Sequence, residues 1–407
     1  MKVLLFGDAP MSEDEGGLCQ TLYNIFSVIE PENFLGITAI SKAGYDKIGL
    51  KYSPRYLSYK YVWLKIPPNR VGKFFVPLIE WINYSICQLR NYRQLKKEIK
   101  SFNPDVVVSC PNLPIGVLMH HKLLNSDYLK HKIIPYFMDD WMYKSKKTWL
   151  GGSIQKSIKK ILSANTKWMM ISKELDEILR DRYKVKPEKI LYIRNPVDLS
   201  SGFIDNMYRK KDFFTIAYAG ALWPMHYDSF LLMAKAVNLL SEQINIKLIL
   251  YSPLPFWENK KNELEPLTVS YGGRFAYNQI HSVLNQADAL LITSSFEDDY
   301  FTHSKASLQT KITDYCKAGR LIISCGPDYS ANNNFLKENN CGICIETKNV
   351  DAVVTAIKNV VINIAHYQYM VNNGFDSLQH FSKEVVHKKL ITFLSNPQNN
   401  VKREAGH

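Results

Sequence analysis

The chain is poor in cysteine. Its seven cysteines are scattered at positions 19, 87, 110, 316, 325, 341 and 344. An odd, dispersed set argues against a disulfide framework and for a reducing compartment. Cys341-Gly-Ile-Cys344 is a lone C-x-x-C with no second pair and no neighbouring histidine. Small buried thiols on a strand account for it more simply than zinc or redox chemistry. The chain also lacks a G-x-G-x-x-G fingerprint, which disfavours a dinucleotide site. No run is apolar and long enough for a spanning helix; the nearest, Val71 to Leu89, is interrupted by Lys73, Pro77 and Glu80. Met1 to Phe6 leads straight into Gly7-Asp8 and reads as a first strand rather than a leader. Internal repeats and low-complexity tracts are missing too. A cytoplasmic protein is expected, at most peripheral on the inner face of the membrane.

Acidic residues are scarce in two stretches. From Ser41 to Lys100 there are 13 Lys/Arg against 3 acids, and from Lys144 to Lys160 there are 6 Lys and no acid. These stretches hold much of the net charge of +13. Aromatics lace the first, among them Tyr52, Tyr56, Tyr59, Tyr61, Trp63, Phe74, Phe75, Trp81 and Tyr84. Cations near anionic headgroups gain about 1 kcal/mol each, and Trp and Tyr suit the membrane interface. An anionic membrane surface or a lipid-linked anionic substrate, met through residues 42–100 and 144–160, is the first expectation. A solvated basic face over an aromatic core ranks second. Nucleic acid ranks last, because no nucleic-acid-binding signature accompanies the charge, and none is expected as a partner.

With 407 residues the chain exceeds one ordinary core, and two domains are expected. Strand and helix patterns alternate. Lys2–Phe6, Asp105–Ser109, Ile133–Met138, Trp168–Ile171 and Lys189–Ile193 read as strands of a first half. Helices are expected over Leu18–Ile29, Val76–Lys100 and from the Ser172 cap to about Arg182. A polar stretch, 199–212, reads as a linker. Beyond it come strands Phe214–Tyr218, Lys247–Tyr251 and Ala289–Thr293, with helices near 228–243 and 278–286. Continuous apolar strands between helices predict parallel sheets covered on both faces. The expected fold class is α/β, with two doubly wound, Rossmann-like domains facing each other across a cleft. Their ligands are expected at the carboxyl ends of the strands. The expected boundaries are 1–198, a hinge at 199–212, 213–375, a returning C-terminal helix at 376–395, and a tail from 396.

The richest stretch is Ser307 to Cys325. Thr310-Lys311 opens a short helix carrying Asp314 and Tyr315; Gly319 ends it and a strand follows. A helix start with a lysine favours an anion, and a carboxylate one turn on can reach a ribose whose phosphates lie at that start. The plain alternative is an ordinary αβ unit with a glycine at its C′ position. Gly16-Gly17 after the first strand lets the backbone approach a ligand, and Tyr218-Ala219-Gly220 makes a similar offer in the second half. Glu297-Asp298-Asp299 follows the strand Ala289–Thr293, either as a solvated loop or as ligands for sugar hydroxyls. Asp139-Asp140 ends a strand of the first half. One of the two could act as a general base, with the other expected as a helix cap.

In this order the motifs resemble the GT-B glycosyltransferases, in particular the retaining family 4 type of bacterial surface-polysaccharide synthesis. Gly16-Gly17 resembles the family's glycine pair beside the donor diphosphate. Asp139-Asp140-Trp141 resembles its acceptor-side acidic loop. Ile171-Ser172-Lys173-Glu174-Leu175, then Ile193-Arg194-Asn195-Pro196-Val197-Asp198, is similar to its approach to the hinge. Tyr218-Ala219-Gly220 resembles the start of its nucleotide domain, Tyr271 to Phe275 the loop that holds the base, and Thr310 to Tyr315 with Gly319-Arg320 its acidic donor helix. The chain also departs from the family. Asp314 takes the place of the second Glu, and Glu297 stands seventeen residues before it, farther than the family spacing. The segment Asp298 to Gln309 would therefore fold away as a longer loop, in which His303, Ser304 and Lys305 could meet phosphate. The basic residues common after the "yaG" strand are missing, and Leu222-Trp223-Pro224-Met225-His226 occupies their place.

The resemblance implies transfer of a sugar from a nucleoside-diphosphate sugar to a hydroxyl of a glycan or lipid-linked acceptor, with retention and without a metal or other cofactor. Asp139, Asp140 and Glu297 are the implied catalytic group. Gly16, Gly17, Gly220, Arg274, Phe275, Lys305, Thr310, Lys311 and Asp314 are the implied donor-binding group. Lys311, Arg274 and Lys305, in that order, are candidates for stabilising the leaving diphosphate. The alternatives are a nucleotide-sugar epimerase of similar architecture, recruiting His120 and His121, and a non-catalytic basic module docking on membrane or nucleic acid.

Overall fold

The computed structural model describes residues 1–12, 17–39, 55–60, 64, 70–124, 129, 131–140, 150–200, 212–275 and 279–395. Gly16, Trp141, the linker from 201 to 211 and much of the two basic stretches lie outside the described residues. The chain divides into two compact units, Met1–Ile193 with His387–His407, and Arg194–Val386.

The first unit is built on seven parallel strands: β1 (Val3–Gly7), β2 (Phe34–Thr38), β3 (Arg55–Ser58), β4 (Val106–Cys110), β5 (Ile133–Phe137), β6 (Lys167–Met170) and β7 (Lys189–Tyr192), in the order β3-β2-β1-β4-β5-β6-β7. β1, β2, β4, β5 and β6 are buried at every residue. Strands buried on both faces cannot alternate polar and apolar residues, so they read as unbroken apolar runs. The helices are α1 (Gly17–Phe26), α2 (Arg70–Phe102), α3 (Pro114–Leu124), α4 (Gly151–Ala164) and α5 (Lys173–Tyr183). Ser172 caps α5 as expected, its hydroxyl accepting the Leu175 N–H at 3.1 Å.

The second unit repeats this order with β8 (Phe214–Ala219), β9 (Ile246–Tyr251), β10 (Val269–Gly273), β11 (Ala289–Thr293), β12 (Leu321–Cys325) and β13 (Gly342–Ile345), arranged β10-β9-β8-β11-β12-β13 and again all parallel. Its labelled helices are α6 (Pro224–Ser241), α7 (Ile280–Leu284), α8 (Phe301–Ala306), α9 (Lys311–Lys317), α10 (Ala331–Glu338), α11 (Val350–Asn363), α12 (Gln368–Ser377) and α13 (Lys383–Ser395), the last of which passes into the first unit at His387. Side-chain alternation splits the core in two. Ile216, Tyr218 and Leu291 pack in one cluster, while Ala217, Ala219, Leu290 and Ile292 pack in the other. The chain reverses its strand order between β1 and β4, and again between β8 and β11. That is where doubly wound sheets open a crevice at their carboxyl ends.

Three expectations are corrected here. Tyr271–Gly273 is the end of a strand, not a loop: β10 pairs with β9, and only Gly272 fits beneath the Tyr251 ring, where an added Cβ would lie 2.2 Å from that ring. The segment 298–309 is largely helical rather than a folded-away loop, with a turn of 3₁₀ helix at Asp298–Tyr300 running into α8. α6 starts at Pro224, earlier than the periodicity suggested, because proline needs no N–H partner at a first helical turn.

Residues 194–198 belong with the second unit for a local reason. Val197 donates to Phe381 O and accepts from Lys383 N, each at 2.9 Å, and Lys317 reaches Asp198 O.

Candidate functional site

The second unit places the largest group of expected donor residues around the carboxyl edge of its sheet. Gly220 follows β8 with φ +131°, a conformation that L side chains rarely adopt. Its N–H donates to Tyr251 O at 2.8 Å. A Cβ built on Gly220 would have one neighbour within 4 Å, the Nζ of Lys311 at 3.6 Å. Lys311 opens α9, which has only seven residues, so the anion-binding case rests on the lysine rather than on a long helix dipole.

The Lys311 Nζ is the unusual group of the unit. The residue as a whole is half-buried, but Nζ exposes less than 1 Å² and has no hydrogen-bond partner among the described residues. It lies 3.5 Å from the centre of the Tyr218 ring and 6.0 Å from that of Tyr315. A ring face offers a cation partial compensation only. Burial accordingly pushes the ammonium well below its ordinary pKa. Tyr315 is itself fixed by a hydrogen bond between its hydroxyl and Ala219 N at 2.8 Å, which ties α9 to the end of β8.

His226, on the first turn of α6, stands near this lysine. Its Nδ1 lies 3.0 Å from Thr293 O at the end of β11, and its ring centre is 5.9 Å from that of His303 on α8. Burial, then Lys311, then His303, press its pKa well down. Two histidines and a lysine therefore gather at the β8–β11 switch point. The sequence signal for His226 was its position in the stretch where the basic residues were missing; its partner Thr293 is 67 residues away.

Asp314 is 4% exposed, and its Oδ1 is 3.3 Å from His281 Nε2 on α7. His281, its neighbour there, is a residue that sequence reasoning did not single out. Thr310 precedes α9, and its carbonyl accepts the Thr313 hydroxyl at 3.2 Å. Arg274 and Phe275 follow β10; Arg274 is exposed, and the Phe275 ring stands edge-on to Tyr251 with centres 5.1 Å apart. Glu297 is exposed after β11, its N–H donating to Ser295 Oγ at 3.0 Å. Lys305 lies 5.9 Å from the Phe301 ring centre on its own helix. The structure thus joins Gly220 and Lys311 directly.

In the first unit Gly17 opens α1 and is exposed. Asp139 and Asp140 follow β5 and take different roles. Asp140 is 1% exposed and holds a bidentate pair with Arg182 of α5, at 2.7 and 2.8 Å. Asp139 is less buried, and its Oδ1 accepts the Asp140 N–H at 2.8 Å. Sequence reasoning missed Asp8, at the β1–β4 switch point. Its Oδ2 accepts the N–H groups of Asn112 (2.6 Å) and Leu113 (2.7 Å) ahead of α3, and Tyr59 donates to its other oxygen. His120 is enclosed on α3, with Nδ1 2.6 Å from Ser109 Oγ and its ring stacked on Phe6 at 3.5 Å. His121 lies 3.2 Å from Ser157 Oγ.

Residues 214–363 match the family described as glycosyl transferases group 1. No curated protein matches the chain. Among solved structures, HepE of Anabaena in complex with UDP is similar at TM-score 0.69 and 12% identity, over 97% of this chain and 100% of that one. Sucrose-phosphate synthase of Thermosynechococcus elongatus is similar at TM-score 0.66 and 11% identity, over 96% and 98%. The lipopolysaccharide outer core galactosyltransferase WaaB, in its apo form, is similar at TM-score 0.62 and 16% identity, over 97% and 99%. At these identities the likeness speaks for the fold. Residues 214–363 thus match the glycosyl transferases group 1 model, and the two parallel-sheet units have the GT-B fold.

Proposed function

We propose that the protein moves a sugar from a nucleoside-diphosphate sugar to a hydroxyl of a glycan or lipid-linked acceptor, with retention of configuration and without a metal ion. The observation that carries this reading is the buried Lys311 Nζ, which lacks a hydrogen-bonding partner and sits under Gly220 in the domain that matches the family. A departing diphosphate carries the charge that such an ammonium lacks, and charge stabilisation at the leaving group is the main need of the reaction. Asp314, steadied by His281, holds the ribose; Phe275 and Arg274 flank the base; Glu297 orients the sugar; Thr310 and Lys305 assist at the phosphates. In the first unit Asp139 serves the acceptor hydroxyl, and the neighbouring Asp140 is held in place by Arg182. Solved relatives in complex with UDP and with UDP-glucose make uridine nucleotides the first donors to try.

The proposed workplace is the inner face of the membrane. Helix α2 supports this: Leu78, Trp81 and Leu89 are 39%, 53% and 81% exposed, and Arg93, Lys96, Lys97 and Lys100 are exposed farther along. Among the described residues no helix is long and apolar enough to cross a membrane. The test is release of nucleoside diphosphate from a panel of UDP-, GDP- and dTDP-sugars, in the presence of a bacterial glycolipid extract and with either Mg²⁺ or EDTA. Acceptor-dependent release that survives EDTA supports the proposal. Absence of release from every donor contradicts it.

A further inference from the structure

The second unit holds a cluster whose charge is unfinished. Lys311 Nζ, the His226 ring and the His303 ring converge from α9, α6 and α8. Among the carboxylates on the surrounding elements, Asp314 Oδ1 lies 3.3 Å from His281 Nε2, and Asp228 on α6 accepts the Phe296 N–H at 2.8 Å through Oδ2, its Oδ1 being buried without a hydrogen-bond partner among the described residues. Tyr218 from β8 and Tyr315 from α9 present ring faces to the lysine. Lys305 on α8 adds a further cation to that side of the fold. One of these groups, the Lys311 Nζ, has no hydrogen-bond partner among the described residues and is enclosed beneath a glycine that offers no side chain of its own.

We propose that a diphosphate bound at this cluster is taken up together with a proton, which settles on the amine of Lys311, so that donor binding and site charging are one event. The proposal rests on the donor-site reading above. In the free protein, burial favours the neutral amine. A diphosphate beside it reverses that preference: a proton from solvent adds to the nitrogen lone pair, and the resulting ammonium faces the phosphate oxygens. The sign follows from linkage. The bound form holds the proton more tightly than the free form, so binding is strongest at low pH and weakens as pH rises through the interval between the two proton affinities. His226 beside it is likewise held well below its ordinary pKa, by burial first and then by Lys311 and His303.

The test is titration calorimetry with UDP, or whichever of GDP, ADP and dTDP binds, in Hepes and in Tris. At about pH 8 a terminal phosphate, with a last ionisation near 6, is already fully charged and contributes no proton change of its own. The expected result is an observed enthalpy that differs between the buffers by the uptake of up to about one proton, with Kd weakening by up to about tenfold per pH unit above that point. Uptake that persists in Lys311→Met overturns the proposal. If that variant does not bind, His303→Gln decides: retained uptake supports the assignment to Lys311, and lost uptake places the proton on His303 and overturns it. Binding of UDP with equal enthalpy in both buffers overturns the proton step alone, whereas failure of every diphosphate to bind removes the donor reading as well.

Discussion

Lys311 Nζ sits 3.5 Å from the centre of the Tyr218 ring, and that contact is its nearest compensation among the described residues. A buried amine without a hydrogen-bond partner costs the fold free energy in the absence of ligand. Replacing it with an apolar side chain of similar length separates stability from function. Lys311→Met should raise the melting temperature, with a gain of about 1–3 kcal/mol. It should also weaken nucleoside-diphosphate binding about 10- to 100-fold, the worth of one charge-assisted hydrogen bond. Parallel thermal melts and binding titrations check both directions.

Gly220 is expected to tolerate no Cβ. At φ +131° an L side chain is strained whatever the space around it, so Gly220→Ala should destabilise the second unit by about 1–3 kcal/mol. The shifted backbone would also disturb the approach to Lys311. Denaturant unfolding together with UDP affinity tests this; an unchanged midpoint with unchanged affinity would contradict it.

Gly116 poses two opposed effects. It lies within α3, where alanine ordinarily gains about 0.5–1 kcal/mol over glycine. A Cβ there would lie 2.2 Å from Asp8 Oδ2, the acceptor for Asn112 and Leu113 N–H. The clash wins, because that carboxylate is held from three directions. Gly116→Ala should lose about 1–3 kcal/mol, as an overpacked site does, measured by the urea midpoint.

The adjacent carboxylates of the first unit should separate in the same kind of assay. Arg182→Ala strands the nearly fully buried Asp140 and should cost about 3 kcal/mol, with activity lost through unfolding. Asp139→Ala should leave the melting temperature within about a degree, since a single surface-type change is usually small, and should lower kcat in the transfer assay. A folded, fully active Asp139→Ala enzyme would remove Asp139 from the acceptor role.

The fold was legible where burial and periodicity agree. Ala289–Thr293 is a strand over the residues its apolar run suggested, and Ser172 caps α5 as its sequence suggested. The extent of secondary structure between 298 and 309 was not legible, because its helical turns are short and carry no periodic stripe. Nor were the partners that give the acids their character. Asp140 meets Arg182 across 42 positions, Asp8 meets Leu113 across 105, and His281 meets Asp314 only because α7 and α9 pack together. Residue types near strand ends marked where chemistry could occur; the pairings that select among them are long-range and belong to the folded chain.

The most direct measurement is a thermal-shift panel of the wild-type protein and Lys311→Met with UDP, GDP, dTDP, ADP and CMP, each with Mg²⁺ and with EDTA. At a hundredfold the dissociation constant a ligand stabilises the native state by about 2.7 kcal/mol. The account predicts a clear rise of the wild-type melting temperature with one nucleoside diphosphate, unaffected by EDTA and largely lost in Lys311→Met. No shift with any nucleotide, or an equal shift in the variant, would contradict it.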